Sequence, residues 1–153
     1  MENVNTYTVE QVKSKISEAF PTVKFDPKVR PRRLFMTAEK DDLIGLCTLL
    51  KDQLGFEHCS LVSGVDRCDR FQVVYHITSL TNNITVEIVV DLPHEDPQVD
   101  SVTPLWGGAN WHEREAYDMF GIIFKDHPKL ERLLLPADYT FFPMRKDCET
   151  GRR

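Results

Sequence analysis

The sequence predicts an α+β fold: a two-layer sandwich of two helices on a mainly antiparallel sheet of about four strands, then a short helix and an extended C-terminal tail. Three observations carry this expectation. Two apolar stripes recur at three- and four-residue spacing in the first third of the chain. Two long alternations of apolar and polar residues follow in the middle. After Leu92 the periodicity gives way to prolines, a charged helix and an irregular segment that stays rich in aromatics. Residues 1–92 read as the sandwich core, and residues 93–153 as a signature helix and docking tail of the same domain.

The first helix opens at Thr8, where Thr8 and Gln11 form a capping box that covers orphan amides of the first turn. Val9, Val12, Ile16 and Phe20 make its apolar stripe, and Pro21 ends it. A basic connector, Lys28 to Arg33, leads into a short strand at Leu34-Phe35-Met36. The second helix is expected from Ala38 to Leu54, capped by Thr37, with Leu43, Leu46, Cys47, Leu50 and Leu54 on its buried face. Gly55 stands where a left-handed C-terminal cap belongs.

The stretch from Phe56 to Val65 adds a strand before a loop around Asp66–Arg70. Phe71, Val73, Tyr75 and Ile77 alternate with more polar residues, as do Ile84, Val86, Ile88 and Val90, and Thr81-Asn82-Asn83 joins them as a hairpin turn. Beyond the Trp106-Gly107-Gly108 turn a third helix opens at Asn110, with Glu113 three positions on in a cap-like pattern, and Gly121 closes it. The remainder holds Pro128, Pro136 and Pro143 among Leu130, Leu133, Leu134, Leu135, Tyr139, Phe141 and Phe142. A solvated linker does not spend so many apolar residues, so this segment lies against its own domain or another chain.

Composition narrows the function classes. With 153 residues and 41% hydrophobic content the chain supports one packed domain. Its longest apolar runs are a few residues, against the ~20 a membrane span needs. The N-terminus has neither the basic start nor the apolar core of a signal peptide, which implies an intracellular protein. A net charge of −5 disfavours a nucleic-acid partner. The four cysteines, Cys47, Cys59, Cys68 and Cys148, form no CxxC, so they read as reduced thiols with no zinc knuckle and no iron–sulfur run.

The third helix mixes aromatics with charge. Spacing places Trp111, Glu115 and Asp118 on one face and pairs Arg114 with Asp118 at i, i+4. Three chemistries compete for it. His112-Glu113 begins like HExxH, but Ala116 replaces the second histidine, leaving only a Glu113, Glu115, Asp118 and His127 cluster for a hard cation. A carboxylate raised in pKa by aromatic surroundings could serve as general acid or base in a small stand-alone enzyme, yet no nucleophile elbow or phosphate-cradling glycine loop accompanies it. The preferred reading is structural: buried charges are tolerated when paired, and the tail supplies Arg132, Arg145 and Lys146 as partners. His76 is expected on the polar sheet face.

Residues Trp111 to Ile122 resemble the ERE-x-YDMFGI signature of the thirty-kilodalton subunit family of respiratory complex I. His127-Pro128-Lys129-Leu130-Glu131-Arg132-Leu133-Leu134, Pro136-Ala137-Asp138-Tyr139 and Pro143-Met144-Arg145-Lys146-Asp147 resemble that family's HPxLxRxL, PxDW/Y and PLRKD blocks in order and spacing, as Phe71–His76 and Ser101–Trp106 resemble its upstream segments. Met144, Glu131 and Leu135 depart from the usual pattern.

The resemblance implies an accessory, cofactor-free subunit of the peripheral arm of an NADH:quinone-type, ion-translocating oxidoreductase. Members of the family pack against the large hydrogenase-like quinone-module subunit and the iron–sulfur subunits, which with their partners carry flavin and clusters. Such a protein would lie on the cytoplasmic side of the membrane and meet the membrane only through the complex. Glu113, Arg114, Glu115, Asp118, Gly121, His127, Pro128, Arg132, Arg145, Lys146 and Asp147 would dock partners or pin the fold, none being catalytic, and no metal ligand is implied. The end at Arg153, without the extension of mitochondrial relatives, suggests a bacterial, plastid or archaeal complex. A reduced-deazaflavin:methanophenazine dehydrogenase, a membrane-bound hydrogenase and a formate hydrogenlyase are the related alternatives.

Overall fold

A computed structural model describes residues 6–28 and 30–147; Cys148, Arg153 and the first five residues lie outside that range. The first helix, α1 (Val9–Ala19), starts on the expected capping box. The Thr8 hydroxyl accepts the Gln11 N–H at 3.3 Å, and the Gln11 side chain accepts the Thr8 N–H at 2.9 Å. Its Val12 and Ile16 are fully buried.

A two-residue strand, β1 (Lys24–Phe25), follows and pairs antiparallel with β2 (Arg33–Ala38). It is too short to leave an alternation in the sequence. The described residues of the basic connector are exposed, and Arg32 takes a left-handed φ of 62° in the turn.

The second helix, α2 (Leu43–Asp52), begins five residues later than the spacing suggested, and Thr37 is a strand residue, not its cap. The reason is local. Residues Glu39 to Asp42 are all charged and give a helix no apolar stripe, while Ala38 buries opposite Val90 as the last residue of β2. Asp42 accepts a hydrogen bond from the Thr22 hydroxyl and caps nothing with its side chain. Gly55 adopts the expected left-handed φ of +69°, but α2 ends at Asp52 with Gln53 as its C-cap, so Gly55 is not the cap itself.

The sheet continues through β3 (His58–Asp66), β4 (Arg70–Ser79) and β5 (Ile84–Pro93). Five strands pair in the order β1-β2-β5-β4-β3, one more than expected. The sheet is antiparallel except where β2 runs parallel to β5. Two three-residue strands, β6 (Gln98–Asp100) and β7 (Ile123–Lys125), form a separate parallel pair that no periodicity in the sequence announces. Between them runs α3 (Ala109–Phe120).

One face of the sheet carries the core. Phe71, Val73, Tyr75, Ile77, Val86, Ile88 and Val90 are fully buried there against all three helices. The same cluster includes Val99, Val102, Trp106, Ala109, Ile122 and Phe124, so the core extends past Leu92 to the end of β7. The opposite face is half-buried and polar. His76 and Glu87 meet there at 3.1 Å, Thr78 and Thr85 at 3.2 Å, and Gln72 donates to Asp91 at 2.7 Å. An antiparallel sheet with one wet face accommodates this arrangement.

Helix α3 crosses β3 at Gly64. A Cβ there would stand 2.6 Å from Phe120 Cδ2 and 3.1 Å from Ile122 Cδ1, so only a hydrogen lets helix and strand approach. Gly64→Ala is expected to cost about 1–3 kcal/mol, the range for overpacking. It should lower the urea midpoint without changing the m-value.

Candidate functional site: the charged helix and the segment it pins

The charges of α3 point in several directions, and their partners are distant in sequence. The helix starts at Ala109 with Gly108 as its N-cap, so Asn110 and Glu113 form no capping pair. Glu113 turns inward instead and is fully buried. Its carboxylate accepts the Ser101 hydroxyl at 2.6 Å and the Val102 N–H at 2.8 Å, which ties α3 to the loop after β6. Burial pushes its pKa up from the usual 4.5 to about 7, with the two hydrogen bonds opposing.

His127 lies 3.9 Å away. Its Nδ1 accepts the Lys129 N–H at 3.0 Å while Nε2 reaches the Asn110 carbonyl at 3.3 Å, an arrangement that assigns the neutral Nε2–H tautomer. Burial, with Arg114 nearby, holds its pKa below the usual histidine value. His127 is therefore uncharged near pH 7, and its contact with Glu113 is not an ion pair.

Asp118 is the second buried acid. One oxygen accepts Arg132 Nη1 at 2.9 Å, and the other accepts three successive backbone N–H groups, those of Leu133, Leu134 and Leu135, at 3.2, 2.7 and 3.0 Å. Burial alone would raise this carboxyl, but the Arg132 bond and the amides outweigh it and hold the pKa below the usual value. The expected Arg114–Asp118 pair does not form. Arg114 spends its guanidinium on the carbonyls of Glu131 and Arg132, both at 3.1 Å, and lies over the Trp111 ring. Nor do Trp111, Glu115 and Asp118 share an environment: the first two are exposed and Asp118 is buried. Glu113, Glu115 and Asp118 do not converge on a cation site.

The C-terminal end of α3 has a complete accounting of its carbonyls. Gly121 N–H bonds Tyr117 O at 2.7 Å, Arg132 Nη1 bonds Asp118 O at 3.0 Å, Met144 N–H bonds Met119 O at 3.1 Å, and Arg145 Nε bonds Phe120 O at 2.6 Å. Two guanidinium groups at this end also complement the helix dipole. Gly121 makes the closure possible. Its φ is +74°, and a Cβ would stand 2.6 Å from the Phe142 ring and 2.7 Å from Arg145 Nη2.

Arg132 reaches further, donating to Tyr139 O and Phe141 O at 2.9 Å each, and it stacks with Arg145 on the Phe142 ring. Lys146 pins the segment through its backbone N–H, which donates to Asp66 Oδ2 at 2.8 Å, while its side chain is exposed. Pro128 and Asp147 are exposed as well.

Asp66 is a buried polar residue that no motif or spacing marks, and Ser101, buried as well, stands out only as the first residue of a segment that resembles the family. Asp66 sits at the end of a strand, a place where a lone acid looks like a turn residue. Among the described residues, one group of possible metal ligands converges, Asp66, His94 and Asp147 within 4.8 Å. Asp66 already accepts two backbone N–H groups, and Lys146 supplies positive charge beside it.

The comparisons with known proteins place this arrangement in a family. The profile described as respiratory-chain NADH dehydrogenase, 30 Kd subunit, matches residues 36–153. The chain belongs to that family. It is 39% identical over 153 residues to an NADH-quinone oxidoreductase subunit of Herpetosiphon aurantiacus, with 97% of this chain and 86% of the relative covered. It is 37% identical to an F(420)H(2) dehydrogenase subunit of Methanosarcina mazei, covering 92% and 89%.

Among solved structures, a trypsin-resistant fragment of Nqo5 aligns with a TM-score of 0.68 at 29% identity, over 78% of this chain and 99% of the fragment. A chain of the membrane-bound sulfane sulfur reductase, an archaeal respiratory membrane complex, aligns with a TM-score of 0.81 at 22% identity over 93% and 86%, a likeness of fold. The matched residues include all of α3 and the segment it pins.

Proposed function

We propose that this chain is a cofactor-free, non-catalytic subunit of the peripheral arm of a complex I-like, ion-translocating oxidoreductase. It docks against the large hydrogenase-like quinone-module subunit, on the cytoplasmic side of the membrane, beside partner subunits that hold flavin and iron–sulfur clusters. The observation that carries this reading is the fate of the ionisable groups on α3. Glu113 and Asp118 are fully buried and have their oxygens taken by internal donors, which leaves neither free to meet a substrate. What α3 presents outward is Trp111, 62% exposed, and the Glu115 carboxylate, which suit a protein partner better than a reaction. None of the helices among the described residues is long and apolar enough to cross a membrane, which fits attachment through other subunits. Similarity to both the Herpetosiphon NADH-quinone oxidoreductase protein and the Methanosarcina F(420)H(2) dehydrogenase protein supports either NADH or reduced deazaflavin as the donor to the complex.

Tagging the chain and purifying it from its native cell under mild detergent tests the reading. The large quinone-module subunit and the iron–sulfur subunits should co-purify, with flavin and iron in proportion to those partners. The chain purified alone should contain neither. Stoichiometric flavin or iron in the isolated chain, or a chain that co-purifies with no oxidoreductase component, would refute it.

A further inference from the structure

The end of β3, the loop after β5 and the end of the pinned segment meet at one place, although they are far apart in sequence. Asp66, His94 and Asp147 each bring one ligand atom there, and the three atoms lie within 4.8 Å of one another. Together with Cys68 and Lys146 they line a cavity of about 300 Å³. Asp66 is buried, His94 half-buried and Asp147 exposed, so the cavity runs from the interior to solvent.

Each group is placed by contacts that leave it able to bind. The Cys68 and Lys146 N–H groups hold the Asp66 carboxylate, one on each oxygen, at 2.7 and 2.8 Å. A carboxylate oxygen offers two lone-pair sites, so both oxygens keep one. The His94 ring stacks on the fully buried Phe71, with 4.6 Å between centroids and 12° between planes. Asp147 directly follows Lys146, whose backbone bond to Asp66 anchors the chain one residue away. Among the described residues His94 forms no ion pair with either carboxylate. An ion with bonds of about 2.0–2.2 Å would draw the three groups together across that gap.

The donor set selects the ion. Calcium and magnesium take shells of oxygen, whereas an imidazole beside two carboxylates suits a borderline cation such as zinc. Two carboxylates and a neutral imidazole also balance its double charge. One group opposes binding, the Lys146 ammonium, but it sits on a flexible, exposed stem that can turn to solvent.

We infer that Asp66, His94 and Asp147 bind one zinc ion, which clips the end of the C-terminal segment to the end of β3 and the loop after β5. A metal clip stabilises most where it closes long stretches of chain, as this one does. It carries no electrons, so the chain remains free of redox cofactors.

The test is a calorimetric titration of zinc into the full chain after chelation. One equivalent should bind, and a hundredfold excess over Kd should raise the melting temperature by about 5–10 °C. His94→Phe keeps a ring on Phe71 and removes the nitrogen, and Asp147→Asn changes an exposed position. Each should weaken binding roughly tenfold or more, with a metal-free melting temperature close to wild type. Lys146→Met removes the opposing charge and should tighten binding severalfold, an outcome that does not depend on the ligand variants folding. Cobalt(II) bound in place of zinc should show no thiolate charge-transfer band. Unchanged affinity in both ligand variants, weaker binding in Lys146→Met, or a thiolate band that assigns the ion to a cysteine overturns the site.

Discussion

Asp118→Ala is expected to destabilise the chain by about 3–5 kcal/mol, the range for removing one member of a buried ion pair. The size follows from what the carboxylate holds. Arg132 is only 10% exposed at its side chain, and three consecutive amides converge on the other oxygen. With alanine the guanidinium keeps its carbonyl partners but loses its counter-charge, and the Leu133–Leu135 turn loses its only side-chain acceptor. Asp118→Asn should cost less, because an amide oxygen still accepts hydrogen bonds while the charge is gone. Urea unfolding measures both. Limited proteolysis adds a positional readout: cleavage should appear between Leu133 and Tyr139 in the alanine variant first. The pH dependence has a fixed sign. Asp118 has a depressed pKa, so its contribution is present at neutral pH and is lost as pH falls below the ordinary carboxylate range. An alanine variant as stable as wild type at pH 7 would show that the segment is held by its apolar contacts alone.

Glu113→Gln should do the opposite. The wild-type carboxyl ionises near pH 7 when folded and near 4.5 when unfolded. The native state therefore binds the extra proton between those values, and stability falls as pH rises from about 4.5 through 7. Above pH 8 the folded protein carries a buried carboxylate at a cost of about 3 kcal/mol, from roughly 1.4 kcal/mol per pH unit. Glutamine keeps an oxygen for the Val102 N–H and offers its amide to the Ser101 hydroxyl, so it removes the ionisation and preserves both contacts. The variant should match wild type near pH 4.5 and exceed it by about 3 kcal/mol at pH 8. The difference between the two unfolding curves isolates this group from every other titration. Parallel curves across that window would mean that Glu113 ionises normally.

These two acids also mark where sequence reasoning succeeds and where it stops. The α1 cap was legible because Thr8 and Gln11 are three residues apart and need nothing else. The alternation of β4 and β5 was legible because one face is apolar throughout. The start of α2 was not, since Thr37 looks like a cap while its strand register depends on β5, far along the chain. The tail cations were identifiable as partners for buried acid, and Arg132 fills that role through Asp118. The rule of four nonetheless chose Arg114 first, because it knows only neighbours on one helix. Glu113 was harder still: an acid three residues after asparagine has the pattern of a cap, and only the loop at Ser101 and Val102 turns it inward. Asp66 was missed because its main partner, the Lys146 N–H, lies eighty positions away.

The parallel pairing of β2 with β5 bears on how this chain is made. Leu34 and Met36 meet Val86 and Ile88 only after α2, β3 and β4 have been synthesised. At ~5–20 residues per second, the apolar face of β2 waits for several seconds on a growing chain with no interior partner strand. The β3–β4–β5 meander, built from near-neighbour hairpins, can form first and then receive β2 as a late closure. Closure of β2 onto β5 is therefore the step expected to be slowest. An assembly line that supplies this protein in excess of its partners would have to shelter its N-terminal third before it shelters anything else.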